Sequence, residues 1–201
     1  MNTKKELMSF AEYACGELSE TERADLRFVP PIEVVQLNKP DGGDFAGFRT
    51  RTKNWATTFC LLPDDYVVIV AEWKHGAEEI TLVPPSGVPS KIDHGSMDAC
   101  AKREFEEESG ILLEKVVPLA GLNGLPIASR NLTTRFYPFL GIPKLPINPG
   151  PSKLDQNEYL KMVLISLPEW LKLINSGETN EECSVSVTYL ALQDLGRLSI
   201  S

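Results

Sequence analysis

The chain has 201 residues, of which 42% are hydrophobic and 24% are charged, and this composition excludes collagen, coiled coil and extended disorder. Its formal net charge of −8 weighs against non-specific nucleic-acid binding, because an acidic surface repels phosphate backbones. No apolar run reaches the roughly 18 residues that a membrane span needs, and the first residues do not resemble a secretory signal. We therefore expect a cytoplasmic protein with no membrane partner and one main core.

The cysteines indicate a reducing compartment, and the few histidines bear on metal binding. The four cysteines are far apart in sequence and include no C-x-x-C pair, so we expect reduced and mostly buried thiols. With only His75 and His94 available, a zinc site is not expected.

The predicted elements alternate between helices and strands. Helical spacing predicts an amphipathic helix over residues 4–18, and β-rich runs at 32–37 and 45–52 predict a hairpin. Residues 1–55 are therefore predicted to form an N-terminal extension and residues 56–201 the main domain. Further strands are predicted at 57–62, 66–73, 80–83, 113–119, 135–140 and 159–165, and helices at 97–109, 168–176 and 182–195.

Two segments of the main domain have informative patterns. The continuous apolar run at 67–70 predicts a strand that is covered on both faces. A Pro- and Gly-rich loop over 141–156 has the length of a functional loop rather than of a simple connection. Helices between strands on a partly two-sided sheet predict an α/β or α+β sandwich with a mixed sheet.

Residues 103–111 read R-E-F-E-E-E-S-G-I. On a helix, Glu104, Glu107 and Glu108 share one face, where their like charges and the nearby C-terminal helix dipole are both unfavourable. A divalent cation with oxygen ligands would compensate, and Arg103, one turn before Glu107, could hold that carboxylate in place. The alternative interpretation is a solvated acidic helix face.

The order R-E-U-x-E-E-x-G-U, where U is aliphatic or aromatic, resembles the second half of the Nudix box, G-x5-E-x7-R-E-U-x-E-E-x-G-U. Two flanking blocks are similar to segments of the ADP-ribose and ADP-sugar pyrophosphatase branch: 71–74 (A-E-W-K) followed by 85–87 (P-S-G), and 164–171 followed by 175–178 (N-S-G-E). The resemblance covers about residues 56–195. It implies a Nudix-type α/β/α sandwich.

The chain departs from the family pattern within the box. Fifteen residues separate Gly87 from Arg103, where the pattern has thirteen, so that counting back from Arg103 places the first glutamate on Gly95. Asp93 and Asp98 are the nearby carboxylates that could replace it. Lys74 stands where these enzymes have an arginine, and residues 128–134 lack their S-P-G-F-S-D-E loop.

The resemblance implies a hydrolase that cleaves a nucleoside diphosphate linked to a sugar and that uses Mg²⁺ or Mn²⁺. Glu104 and Glu108 match the principal metal ligands, and the main-chain carbonyl of Ser86 completes the set. Glu107 is a third or supporting carboxylate, and Arg103 orients the glutamates.

The predicted general base is Glu158, with Asp155 as the second candidate; an exposed loop glutamate is the alternative for Glu158. Lys74 and Trp73 are the predicted substrate-binding residues, although the sequence favours core or interface packing for Trp73. A homodimer formed through the N-terminal segment is expected by resemblance. The alternative function is a Nudix-fold nucleotide-binding or sensor module, which the glycine at position 95 suggests.

Overall fold

The described structure begins with a β-hairpin. The computed structural model describes residues 32–74, 76–121, 123–154, 159–179 and 181–198. Strand β1 (Ile32–Asn38) pairs antiparallel with β2 (Asp44–Thr50), which confirms the predicted hairpin. The predicted helix over 4–18 lies outside the described residues, and the boundary after residue 55 stays a prediction.

Eight further strands and three α-helices follow in the described part of the chain. The strands are β3 (Trp55–Phe59), β4 (Tyr66–Lys74), β5 (Glu79–Val83), β6 (Ser86–Gly87), β7 (Leu113–Pro118), β8 (Leu125–Pro126), β9 (Arg135–Pro143) and β10 (Leu160–Ser166). The helices are α1 (Met97–Ser109), α2 (Leu167–Ser176) and α3 (Glu182–Asp194), and Lys91–Asp93 forms a short 3-10 helix.

The strands beyond the hairpin form two sheets. One has the order β10-β4-β5 and is antiparallel throughout. The other has the order β6-β3-β9-β7, with β8 paired to β9, and is mixed because β3 and β9 run parallel. Strand β6 is only two residues long, and it places Ser86 and Gly87 at the edge of the mixed sheet beside Ala56 and Thr57.

Helices cover both faces of these sheets. Residues 67–70 of β4 are fully buried, as the continuous apolar run predicts. Val67 and Ile69 belong to the cluster that contains Trp170 of α2 and Val187 of α3, whereas Val68 packs with Phe105 of α1. The arrangement is the predicted sandwich, with α2 and α3 on one side and α1 on the other. None of the helices in the described ranges is long and apolar enough to span a membrane.

The predicted loop over 141–156 begins later than the sequence suggests. Strand β9 continues through Gly141 and Ile142 to Pro143, where it pairs with β7. The position suits glycine, because a Cβ on Gly141 would crowd Thr58 and Leu113. The residues that follow, up to 154, lie against the C-terminal end of α1.

This contact satisfies carbonyl groups that a helix end leaves without intrahelical partners. Gly110 ends α1 in the left-handed conformation (φ 71°), as predicted, and its N–H donates to the Glu106 carbonyl. The Lys153 N–H donates to the Glu107 carbonyl at 2.7 Å, and the Ser152 hydroxyl to the Glu108 carbonyl at 2.8 Å. The Gly150 N–H donates to the Gly110 carbonyl at 2.8 Å, which fixes the segment in place.

We predict that Gly110→Ala destabilises the protein by at least about 3 kcal/mol, since left-handed strain alone costs roughly 1–2 kcal/mol and overpacking adds to it. A Cβ on Gly110 would overlap the Gly150 carbonyl oxygen. Gly177→Ala is the matched control, because Gly177 ends α2 at φ 77° with open space around it. Urea unfolding of both variants measures the difference, and equal losses would show that the contact with Gly150 is unimportant.

Candidate active site

Helix α1 is fixed so that two of its glutamates face strand β6. The Ser96 hydroxyl caps the helix by accepting the Ala99 N–H at 3.2 Å, and Cys100 and Phe105 are buried against the sheet. This orientation places Glu104 and Glu108, which are one helical turn apart, beside Ser86 and Gly87.

The two glutamates contact the short strand β6 in different ways. Glu108 is only 4% exposed, and its Oε2 accepts the Ser86 N–H at 3.1 Å. Glu104 lies flat against Gly87, where any Cβ would overlap its Cδ and Cγ. Glycine at position 87 is therefore needed for Glu104 to occupy this place, and the predicted proximity of Glu104, Glu108 and Ser86 is observed.

Arg103 connects four acidic or carbonyl groups around the helix. Its guanidinium lies 2.8 Å from Glu104 Oε1 and 2.8 Å from Glu107 Oε2, and it also donates to the Val88 carbonyl at 3.3 Å. Two further hydrogen bonds, of 2.9 and 2.8 Å, bind it to both carboxylate oxygens of Asp93. The predicted role of Arg103, to orient the glutamates, fits this geometry.

Asp93, one of the two carboxylates that could replace the missing glutamate, is a partner of Arg103, a contact that the sequence did not predict. It is 3% exposed, and both the N–H and the hydroxyl of Ser90 donate to its Oδ2. The hydrogen bond from Arg103 and those from Ser90 lower the pKa of Asp93 to about 2, so the carboxylate is ionised at neutral pH.

Of the two carboxylates that the sequence offered in place of Gly95, the structure favours Asp93, because it contacts Arg103. Asp93 is the sixth residue after Gly87, the spacing that the pattern G-x5-E requires, so its carboxylate stands in for the glutamate at a position shorter by one methylene. The two extra residues fall after it, where His94 and Gly95 both have positive φ angles of 49° and 79°. Counting forward from Gly87 would have found Asp93, whereas counting back from Arg103 crossed the insertion.

Lys74 lies on the same side of the sheet as α1. Its ammonium is 2.7 Å from Glu72 Oε2. Burial lowers the pKa of Lys74, but the charges of Glu72, Glu181 and Glu108 offset this effect and leave the pKa raised. A positive charge beside Glu108 is therefore retained at neutral pH, and binding of substrate by Lys74 stays a prediction.

Other residues singled out in the sequence lie elsewhere. Trp73 projects from the opposite face of β4 and packs against the main core, so it does not share a surface with Lys74. Glu158 and Asp155, the candidates for the general base, lie outside the described residues.

The cysteines of the described residues provide no nucleophile. Cys60, Cys100 and Cys183 are free and buried, as predicted, and burial raises the pKa of each to about 12. Their thiols therefore stay protonated at neutral pH.

The carboxylates have the chemistry that a hard divalent cation requires, since Mg²⁺ and Mn²⁺ prefer oxygen ligands. Glu104, Glu108 and the Ser86 main chain lie together at β6, and Glu107 is the neighbouring carboxylate on the same helix. Within the described ranges, however, no three Asp, Glu, His or Cys side chains converge into a ready-made metal site. The oxygen donors are of the type that such a cation prefers, and they lie near one another. Metal binding stays a prediction.

Comparison with known proteins identifies the fold. No protein-family model matches the sequence. No curated protein matches it either. Among solved structures, the crystal structure of an ADP compounds hydrolase is similar to this chain with a TM-score of 0.67 and 24% sequence identity, covering 83% of this chain and 88% of the other. At this level of identity the likeness shows the fold alone, and the mixed α+β sandwich expected from the sequence is confirmed.

We predict that Asp93→Asn lowers the free energy of unfolding by about 2 kcal/mol at pH 7, because the ion pair between the buried Asp93 carboxylate and the partly buried Arg103 guanidinium is lost. The pKa of Asp93 is depressed in the folded state, so this stabilisation is present above the ordinary value of 3.8 and is lost as the pH falls towards about 2. Urea unfolding of wild type and variant from pH 7 downwards should show the difference narrowing below about pH 4.

Asp65→Asn is the matched control for this experiment, because Asp65 also forms a two-point pair with Arg197, but at the surface. Its effect on the free energy of unfolding should be the smaller of the two. If Asp93→Asn is no more costly than Asp65→Asn, the buried pair does not stabilise the site.

Proposed function

We propose that the protein is a metal-dependent hydrolase that cleaves the diphosphate of a nucleoside diphosphate linked to a sugar, such as ADP-ribose or a nucleoside diphosphate sugar. The products would be a nucleoside monophosphate and a sugar phosphate. The observation that supports this most directly is the position of Glu104 and Glu108 against Ser86 and Gly87, with Arg103 beside them. The name of the similar structure, an ADP compounds hydrolase, agrees with a hydrolase of this class.

In this proposal, Glu104, Glu108 and the Ser86 carbonyl hold the cation, and Glu107 supplements them. When bound there, Mg²⁺ or Mn²⁺ would offset the negative charge of the diphosphate and favour attack by water. Arg103 holds the two carboxylates in fixed positions, since it donates to both Glu104 and Glu107. Asp93, buried and ionised, fixes Arg103 in the required orientation.

The remaining sequence-based roles complete the proposal. Lys74 carries a positive charge near Glu108 and is the proposed contact to the anionic substrate. Glu158 remains the predicted general base, with Asp155 as the second candidate. A role for Trp73 in stacking is less well supported than its packing against the core.

The alternative, a binding or sensor module with little catalysis, was suggested by the glycine at position 95. Asp93 removes that reason, because it supplies a carboxylate at the spacing from Gly87 that the family pattern requires, and this carboxylate binds Arg103. A protein that only binds a nucleotide would also not need three carboxylates arranged around one arginine. Catalysis is therefore the better supported function.

The test of the proposed function is metal-dependent turnover by the variant Glu108→Gln. Glutamine preserves the shape and can still accept the Ser86 N–H, but it removes the charge that a cation needs. We expect activity on ADP-ribose or a nucleoside diphosphate sugar with Mg²⁺ to fall at least about 100-fold, with an unchanged circular dichroism spectrum.

The control is Asp98→Asn, which changes an exposed carboxylate on the same helix and should leave turnover within about twofold. Turnover is followed by phosphate release after addition of a phosphatase, with Mg²⁺, Mn²⁺ or EDTA. Full activity of Glu108→Gln would exclude the proposed metal site. Binding without turnover of any compound by the wild type would favour the sensor alternative.

We also propose that the protein is a homodimer that pairs through the hairpin. In the described part of the chain, Val34 is 81% exposed and lies directly opposite Phe48, which is 56% exposed, with Ile32 on the same face. A two-stranded sheet with an uncovered apolar face is only marginally stable in water. A second copy of the same face would cover it.

Light scattering tests this proposal. The wild type should have twice the chain mass of 22.3 kDa, and Phe48→Glu should shift it to a monomer because the charge would be buried in the interface. Leu145→Glu is the control, since Leu145 is an exposed apolar residue away from the hairpin. A monomeric wild type at working concentration would contradict the dimer.

A further inference from the structure

Strand β4 carries an ion pair close to the carboxylates of α1. The Lys74 ammonium lies 2.7 Å from Glu72 Oε2, and less than a third of either side chain is exposed. Because side chains alternate along a strand, both residues lie on the same face of β4 as Val68, which packs with Phe105 of α1. The pair is therefore on the face of the sheet that carries α1.

The direction of the Lys74 side chain is informative, because a second carboxylate is available to it. Glu79 of β5 is directly opposite Lys74 in the pairing of the two strands, where opposite charges attract each other. Lys74 instead binds Glu72, two residues back on its own strand, and within the described ranges its ammonium forms no second ion pair. The side chain thus runs back along β4 towards Val68, in the direction of α1.

Glu108 is the carboxylate of α1 that acts on this ammonium. It is three residues after Phe105, so the two side chains are neighbours on the helix surface, and it is buried. Burial lowers the pKa of Lys74, whereas the charges of three glutamates raise it. These are Glu72, Glu181 and Glu108. Glu72 and Glu108 therefore attract the same ammonium, and the structure shows it in contact with Glu72.

The Lys74 ammonium and a divalent cation at Glu108 would compete for the same carboxylate. Two positive charges repel each other, and this repulsion is strong where water is largely excluded. Glu72 reduces the competition, because its own charge is 2.7 Å from the ammonium and offsets it. A neutral residue at position 72 would leave Glu108 as the nearby carboxylate to which Lys74 could turn.

We infer that Glu72 is a positioning residue for the cation site: it holds the Lys74 ammonium on β4, so that the divalent cation rather than the lysine is the counter-charge of Glu108. This inference rests on the proposed function, in which Glu108 binds Mg²⁺ or Mn²⁺. Lys74 keeps its charge beside the site, where the proposed function places the anionic substrate.

The test is a double-mutant cycle of Glu72→Gln and Lys74→Gln on the full chain, with the affinity for Mn²⁺ measured by calorimetry. Glu72→Gln should weaken Mn²⁺ binding about fivefold, since the lysine would then turn to Glu108. Lys74→Gln should bind Mn²⁺ at least as tightly as the wild type. The double variant should match Lys74→Gln within about twofold, because Glu72 acts through the lysine.

Glu79→Gln is the matched control, since it removes a carboxylate that is opposite Lys74 but does not bind it. Its affinity for Mn²⁺ should stay within about twofold of the wild type. Equal affinities of Glu72→Gln and Glu79→Gln would overturn the inference. A double variant that binds Mn²⁺ about fivefold more weakly than Lys74→Gln would also overturn it, because Glu72 would then act on the cation directly. That last comparison decides the question even where Glu72→Gln alone does not fold.

Turnover of ADP-ribose and nucleoside diphosphate sugars separates this inference from the proposed function. If the cycle shows that Glu72 acts through Lys74 but no such compound is hydrolysed, the inference stands and the hydrolase function fails. If the wild type hydrolyses one of them and Glu72→Gln binds Mn²⁺ as the wild type does, the function stands and the inference fails. A wild type that binds no Mn²⁺ would overturn the inference, whatever its activity.

Discussion

The rest of the site depends on the contacts of one guanidinium. Glu104, Glu107 and Asp93 would repel one another at these distances, and Arg103 binds all three while it also reaches the Val88 carbonyl. The planar fork of arginine makes this possible, because its five N–H groups point in fixed directions, whereas a lysine would supply only a point charge. The arrangement holds the three carboxylates close together, which is a condition for binding a cation.

Main-chain contacts at the two ends of the site complete this arrangement. At β6, Glu108 takes the Ser86 N–H and Glu104 fills the space that a side chain at position 87 would need. At the C-terminal end of α1, three donors from the segment 150–153 bind carbonyls that the helix leaves open. Helix α1 is thus fixed on one flank by a strand and at its end by a loop.

Much of the fold follows from patterns within the sequence. Continuous hydrophobicity at residues 67–70 predicts a strand buried on both faces, and the glycines at positions 110 and 177 predict where α1 and α2 end, because these local preferences act over a few residues. The i and i+4 spacing of Glu104 and Glu108 likewise determines that they share a face of the helix. The sequence could not place the end of β9, since Gly141 and Pro143 resemble loop residues and only their pairing with β7 makes them a strand.

Part of the candidate site can likewise be predicted from the sequence, and part depends on the tertiary structure. The sequence by itself determined which carboxylates belong to α1 and that Arg103 is one turn from Glu107, since helical geometry is local. Tertiary structure alone decided that Asp93 completes the set, that Trp73 faces the core, and that Lys153 reaches the flank of α1. The physical reason is that each of these contacts joins segments that are far apart in the sequence or separated by loops. Whether two such segments meet depends on how the insertion at His94 and Gly95 and the segment after β9 pack in three dimensions.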